Sequence, residues 1–425
     1  MSPGNIYAAK LGSVNNSKNM LNIDDELFFV AYLNIKTHPG HKITLLTGSE
    51  NEEAAPSVSP ERVMRFCLQK KEYRASPIDF KIFHNPLRSY EGWMRHMLSN
   101  ERIKNNLTKA QVIEVVMASA TLHIRKDFVG LITFVSRWCP STHTTIYRWG
   151  EMTITLESVA VFLSLPVAGN LDVKLSAEEE VMDVLDDGSG KKVIRRKLVM
   201  FSIKLAQGVV LPLGSLFLGS LYSHLDSSQQ TCMFPTKVES RVHISFIQAC
   251  LWEQFKGYAP VPASSFSSLY GGSRILRRHK RRPKPELNLI DFFDSVYAID
   301  FRPWEPVHSY VVQPKTFAAD PDIALSTDGA DMSFEEIIFM QSCMPGYIPS
   351  FFNGSFIVVS YNIDRAALHM GFDQGIRFDR PLKPSAELLQ SVLNASLFAT
   401  KMSLPFWILR RKPVATDKYK EFWRE

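Results

Sequence analysis

Between Arg148 and Gly169 the stretch RWGEMTITLESVAVFLSLPVAG changes its hydrophobic period. Apolar residues alternate up to Thr155, as along a strand, and from Leu156 they recur at helical spacing. A chain that passes from one period to the other within a few residues must turn a strand-to-helix corner. Gly150-Glu151 separates two β-rich runs, HTTIYRW and MTIT, and glycine in the first position of a two-residue loop suits a type II′ hairpin turn. Thr155 is placed to cap the following helix, and Glu157 falls in its first turn, near the positive end of the dipole. Leu156, Ala160 and Leu163 make an apolar stripe flanked by Val159 and Phe162, and Pro166 and Gly169 stop the helix.

Three roles compete for this corner: a DNA-reading helix, the wall of an active site, or a piece of architecture. A helix-turn-helix needs a second helix one short turn later to enter the major groove. Here VAGNLDVKLSAEEE follows, and its acids would be repelled by phosphate. The structural reading therefore leads, with Trp149, Met152, Ile154 and Leu156 packing the hairpin onto the helix and Gly150 setting the turn. A partner-binding surface is the alternative.

The rest of the chain reads as mainly α with a few short strands (α+β), a helical domain with a β-hairpin leading into a helix. Residues 1–20 are polar and Gly/Ser/Asn-rich and read as a disordered tail; no basic-then-apolar leader opens them. Ser59-Pro60 suits a helix start. Further helices are expected around Tyr90–Leu98, from a capping box at Thr108-Lys109-Ala110-Gln111, and along Phe128, Leu131, Ile132 and Val135 up to Trp138-Cys139-Pro140. Helical patterning returns at 198–225 and at 243–256, where Ile244, Ile247, Leu251 and Phe255 share a face. It appears again over 287–301, from the capping box at Ser333 and over 385–400. Two stretches read as exposed insertions: 170–197, an acidic block followed by a basic one, and 257–285, which is Gly/Pro/Ser-rich and then basic. The globular region thus spans about 21–380, followed by a C-terminal helix and tail over 381–425.

Leu205 to Ser223 carries no formal charge, but its Gln, Pro and glycines suit a buried helix better than a membrane span. The five Cys are scattered, odd in number and never spaced C-x-x-C, which argues against both a disulfide framework and a zinc site. His38 and His41 flank Pro39-Gly40 with no carboxylate or thiol beside them. The phosphate-binding, hydrolase, metalloprotease and dinucleotide motifs are missing, so no catalytic, cofactor or metal residue is assigned.

Net charge is +6, and seven basic residues between Arg274 and Lys284 account for it, since the remainder stands at −1. These are Arg274, Arg277, Arg278, Lys280, Arg281, Arg282 and Lys284. A solvated loop, a nuclear-import signal and a sequence-blind phosphate patch are all compatible with such a run.

Several blocks, taken in order, resemble the plant mobile domain family. LITFVSRWCPSTHTTIYRWGEMTITLESVAVFLSLPVAGN is the most distinctive. LGSLFLGSLYSHLD (213–226), LWEQFKGYAP (251–260), DFRPWEP (300–306) and YNIDRAALHMGFDQGI (361–376) follow. The charged insertion at 174–197 departs from the pattern, and the chain ends soon after the last block. The resemblance implies a mostly helical nuclear protein, related to maintenance-of-meristems proteins and to copies carried by transposable elements. It implies roles in meristem upkeep, silencing of mobile elements and genome stability, and a protein partner, with a PP7-type phosphatase as candidate. The family is also called aminotransferase-like, but no Lys stands in a convincing setting for that cofactor chemistry. Arg365, Asp373 and Gln374, polar residues among aromatics in the last block, are the candidates for partner contact; the other reading is that Arg365 and Asp373 pair within the fold. The expected function is a noncatalytic nuclear interaction module. The alternative is a nucleic-acid-associated protein of transposable-element origin, binding through 274–284.

Overall fold

The structure is a computed structural model that describes residues 12–13, 44–45, 60–73, 75, 77–81, 90–169, 196–230, 238–255, 257–262, 273–281, 289–295, 299–303, 326–328, 334–343, 345–353, 355–370, 374–375, 401–403 and 417–424. Eight elements precede the corner: the two-residue strands Gly12–Ser13 and Thr44–Leu45, then α1 (Pro60–Gln69), β1 (Ile78–Phe80), α2 (Tyr90–Leu98), α3 (Glu101–Lys109), α4 (Ile113–Thr121) and α5 (Phe128–Val135). The corner itself comprises β2 (Trp138–Cys139), β3 (Thr144–Tyr147), β4 (Gly150–Met152) and α6 (Leu156–Leu163). Then come α7 (Arg196–Ala206), α8 (Leu213–Gln230), β5 (Val238–Ser240), α9 (Ile244–Gln254), a 3-10 turn (Arg274–Arg278) and α10 (Leu289–Phe293). Last are α11 (Phe334–Cys343), β6 (Gly346–Phe352), β7 (Ser355–Tyr361), a 3-10 segment (Ile363–Met370) and α12 (Asp417–Arg424). Among the described residues the strands make only small sheets, four of two strands and one of three, so the fold is mainly helical, as expected.

α6 is the centre. All eight of its residues are buried, Glu157 and Ser158 included. The apolar stripe read from the sequence is thus one side of a helix that is covered all round, packed against α4, α8, α9, α11 and the 3-10 turn. Its N-terminus is doubly satisfied. Thr155 accepts the Ser158 N–H at 3.1 Å, and the Tyr361 hydroxyl receives the Leu156 N–H at 3.4 Å while donating to the Ser342 carbonyl at 2.8 Å.

The hairpin is shifted from the expected one by two residues. Tyr147 pairs with Gly150, so Arg148-Trp149 forms the loop and Gly150 opens β4, at φ +150°. Two bulky residues occupy the loop because the last residue of α10 and the one after it hold them. The Arg148 N–H donates to Asp294 at 3.0 Å, and the Trp149 indole donates to the Phe293 carbonyl at 3.0 Å. β2 adds a third strand through Trp138↔Thr145, where the sequence suggested only the end of a helix.

α8 shows why the 205–223 stretch looked apolar yet small. Its Gly219 faces β6 so closely that a Cβ there would lie 2.2 Å from the Pro349 carbonyl oxygen. The serines beside it exchange hydrogen bonds with the strand. Ser220 Oγ lies 3.1 Å from Phe351 O and 3.0 Å from Phe351 N, and Ser223 Oγ lies 2.8 Å from Ser350 Oγ. Among the described residues no helix is long and apolar enough to cross a membrane, and the stretch itself breaks between Ala206 and Leu213.

Other expectations need correction. Thr108 starts no helix: it lies in the last turn of α3, its hydroxyl bonded back to Lys104 O at 2.9 Å. α3 is instead capped by Asn100, and Gln111 at φ +59° turns the chain into α4. On α5, Leu131 and Val135 are core but Phe128 is 47% exposed. The exposed insertion at 257–285 is interrupted by the 3-10 turn, whose Arg274, Ile275 and Arg278 are buried. Of the tail over 1–20 only Gly12–Ser13 is described, paired antiparallel with Thr44–Leu45. The His38–His41 pair, the 385–400 helix and nearly all of the 170–197 insertion fall outside the described residues.

Gly219→Ala should lower stability by about 1–3 kcal/mol, since the helix must retreat from β6. Gly92→Ala in α2, where a Cβ would meet nothing within 4 Å, should raise it by about 0.5–1 kcal/mol. Urea unfolding of the two variants checks both signs.

Candidate functional site

The corner carries two carboxylates inward, and each is taken by an arginine from far downstream. Glu151, central in β4, receives Arg365 as a fork: Nε to Oε2 and Nη2 to Oε1, both at 2.8 Å. Thr144 adds a third bond to Oε2 at 2.7 Å. Burial pulls the Arg365 guanidinium down, but the charge and hydrogen bonds of Glu151 outweigh it and leave the guanidinium above its ordinary value. Glu157 receives Arg302 in the same way, at 2.9 and 2.6 Å, with the guanidinium 4.7 Å over the Phe339 ring.

The contact candidates therefore lie inside. Arg365 does pair within the fold, but with Glu151; Asp373 falls outside the described residues. Gln374 is buried and donates to the Arg365 carbonyl and, at 3.0 Å, to the Tyr419 hydroxyl. The arginine-bearing segment is a kinked 3-10 stretch, with Ala366 at φ −123°.

Three of the seven residues of the basic run also turn inward. Glu253 on α9 accepts from Arg274 at 3.1 and 3.0 Å, from Arg277 at 3.0 Å and from Arg278 at 2.7 Å. Arg278 further donates to the Pro260 and Trp252 carbonyls, at 2.6 and 3.1 Å. Burial pulls the Arg274 and Arg278 guanidinium groups down, against the field of Glu253. These three arginines leave the exposed stripe that the sequence suggested, because one buried carboxylate gathers them. Lys280 is exposed, and Arg281 reaches the Pro262 carbonyl at 3.3 Å; Arg282 and Lys284 fall outside the described residues.

Three further groups carried no signal in the sequence. Arg137 and Asp294, both 0% exposed, form a fork at 2.9 and 3.1 Å; an arginine inside the apolar run FVSRW was its only trace. His143, at φ +52°, stands between Asp226 and Ser360. Its Nε2 lies 3.1 Å from Asp226 Oδ2, and Asp226 Oδ1 accepts the Trp138 indole N–H at 2.7 Å. Its Nδ1 is 2.6 Å from the Ser360 carbonyl and 3.0 Å from the hydroxyl. An acid, an imidazole and a serine in line invite comparison with a catalytic triad, which needs a ring nitrogen free to take the hydroxyl proton. Here the nearer carbonyl engages that nitrogen, so the arrangement holds β7 to the hairpin and α8 rather than activating Ser360. His369 is buried and stacked 4.2 Å from Phe301, and burial pushes it down to about 3.

Lys126 contacts the Ser245 hydroxyl, and burial pushes its amine down to about 8. A pyridoxal-type site needs an acid facing the pyridinium nitrogen as well; among the described residues no carboxylate pairs with Lys126. Four cysteines, Cys67, Cys139, Cys250 and Cys343, are buried and free, and burial pushes Cys67 and Cys139 up to about 12, far from thiolate chemistry. Among the described residues no cluster of three or more His, Cys, Asp or Glu could hold a metal ion.

Glu151→Gln leaves the Arg365 charge buried and uncompensated and should cost about 3–5 kcal/mol in urea unfolding; the double variant with Arg365→Gln should recover part of that. His369 carries a separate pH signature. The unfolded chain takes up a proton near 6.5 that the native ring refuses until about 3, so stability falls as pH drops through that window. His369→Phe should flatten the stability–pH curve there while leaving it unchanged above pH 7.

A family model described as plant mobile domain matches residues 112–192. No curated protein and no solved structure matches the chain. The matched segment opens at Val112, the N-cap of α4, and contains the whole corner, with Glu151 and Glu157, while Arg302 and Arg365 reach it from outside. Over residues 112–192 this chain is thus similar to the plant mobile domain.

Proposed function

We propose that the chain is a noncatalytic protein-interaction module working in the nucleus. Its role, as the family implies, is in meristem maintenance, silencing of transposable elements and genome stability, with a PP7-type phosphatase as candidate partner. One observation carries this reading: the ionisable groups of the corner are spent on internal forks, while large apolar side chains stand outward beside it. Trp93 is 54% exposed, Met117 49% and Val129 64%. Met117 and Val129 lie within the family segment, and α2, which carries Trp93, rests on α4, which carries Met117. Exposed aromatic and methionine side chains supply binding area at a partner surface. The alternative, nucleic-acid binding through 274–284, keeps among the described residues only Lys280 and Arg281, since the other three arginines are held on Glu253.

Affinity purification from nuclei, with Trp93→Glu/Met117→Glu compared with the unaltered chain, tests the proposal. Surface substitutions of this kind should shift stability by no more than about 0.5 kcal/mol. Recovery of the specific partner should fall about tenfold or more, as when an interface anchor is lost. Undiminished recovery, or no reproducible partner at all, would sink the reading. DNA retention that falls steeply with salt and is lost in Lys280→Ala/Arg281→Ala would favour the alternative.

A further inference from the structure

The short helix α12 is attached through the faces of its aromatic rings. Its inner residues recur at i, i+3 and i+4: Tyr419, Phe422 and Trp423, with Asp417, Lys420 and Glu421 exposed outside. Tyr419 is 4% exposed, and its hydroxyl accepts from Gln374 at 3.0 Å. The Phe422 ring meets two guanidinium groups, Arg62 at 4.4 Å and Arg365 at 4.7 Å from its centroid. Arg65 lies 4.5 Å from the Trp423 ring, with its Nε and Nη1 buried and without a hydrogen-bond partner. Gly150 completes the floor, its Cα side 3.7 Å short of the Tyr419 hydroxyl were a Cβ present.

This is a groove built to receive aromatic faces. Its arginines present guanidinium planes, the geometry that aromatic rings bind by cation–π contact. The docked helix answers with rings and one neutral hydrogen bond, whereas the forks described above join carboxylates to guanidinium groups. Eight residues are too few to hold a helix alone in water, so α12 is helical because the groove orders it. Neither bond of the Glu151–Arg365 fork runs through the helix. The helix is therefore a resident ligand rather than a structural wall.

We propose that the groove formed by Arg62, Arg65, Arg365 and Gln374 is a docking site for a partner's amphipathic helix with aromatic residues at i, i+3 and i+4, and that α12 occupies it in cis until such a helix displaces it. This goes beyond the interaction surface around Trp93 and Met117: it lies on other elements and does not depend on that reading. Recognition follows the helix-in-groove mode, in which anchors on one face of a helix set specificity. The local concentration of a tethered ligand makes α12 a competitor that any partner must outbid.

The test uses the full chain and a fluorescein-labelled peptide of residues 415–425. The peptide should bind the Phe422→Ala/Trp423→Ala chain at least about tenfold more tightly than the unaltered chain, because the variant has lost its own ligand. Adding Arg62→Ala and Arg65→Ala should abolish that binding, and a peptide carrying the two alanines should not bind. Tyr419→Phe, which removes only the bond to Gln374, guards against a double variant that does not fold; it too should bind the peptide more tightly than the unaltered chain. Equal binding to all chains, or none to any, would overturn the proposal. Concentration-dependent dimers of the unaltered chain that vanish in the double variant would also overturn it, by showing that a second copy holds the groove. Loss of nuclear partners from the Trp93/Met117 variant with peptide binding unchanged would leave this inference standing, and the reverse result would sink it alone.

Discussion

A carboxylate withdrawn from water is costly unless it is paired or hydrogen-bonded, and among the described residues four are held by arginines: Glu151, Glu157, Glu253 and Asp294. Each receives at least one arginine in hydrogen-bonding geometry, and in three of the four the arginine and the acid come from distant parts of the chain. Such pairs contribute modestly to stability relative to apolar packing, since desolvation consumes much of the attraction. Their directionality is another matter. A fork accepts one orientation of guanidinium against carboxylate, and each therefore fixes the register of two segments that hydrophobic contact alone would leave free to slide. The corner is held twice over, at β4 and at the first turn of α6.

Close backbone approach is the second constraint. α8 can lie on β6 only because Gly219, Ser220 and Ser223 replace bulk with hydrogen bonds, and β6 in turn pairs with β7 along seven residues. Tyr361, at the end of β7, carries this contact to the N-terminus of α6. The path from α8 through the β6–β7 hairpin to α6 is continuous, so a displacement at Gly219 is felt at the helix on which the core converges.

Much of the architecture follows from local chemistry. The period change at Thr155, the cap itself and the helices at 90–98, 128–135, 244–254 and 334–343 are all where side-chain pattern and turn residues put them. What escaped was non-local. Charge density marked 274–284 as a surface, but charge counts cannot reveal a single buried Glu253 that collects three of those arginines. The same blindness hid Arg137–Asp294 and assigned Arg365 to Asp373 by proximity in sequence, when its partner lies 214 residues away. The hairpin loop was misplaced for a related reason. Glycine preference favoured 150–151, whereas anchorage of Arg148 and Trp149 by residues near 294 put the loop two positions earlier.

The 214-residue separation of Glu151 and Arg365 has a consequence in time as well as in space. At ribosomal speeds of about 5–20 residues per second, about 10–40 s pass between the synthesis of the acid and that of its counter-ion. Throughout that interval the nascent corner can close only by burying an uncompensated charge, so it must stay open or be sheltered. A chain cut short anywhere before residue 365 would be left permanently in that condition.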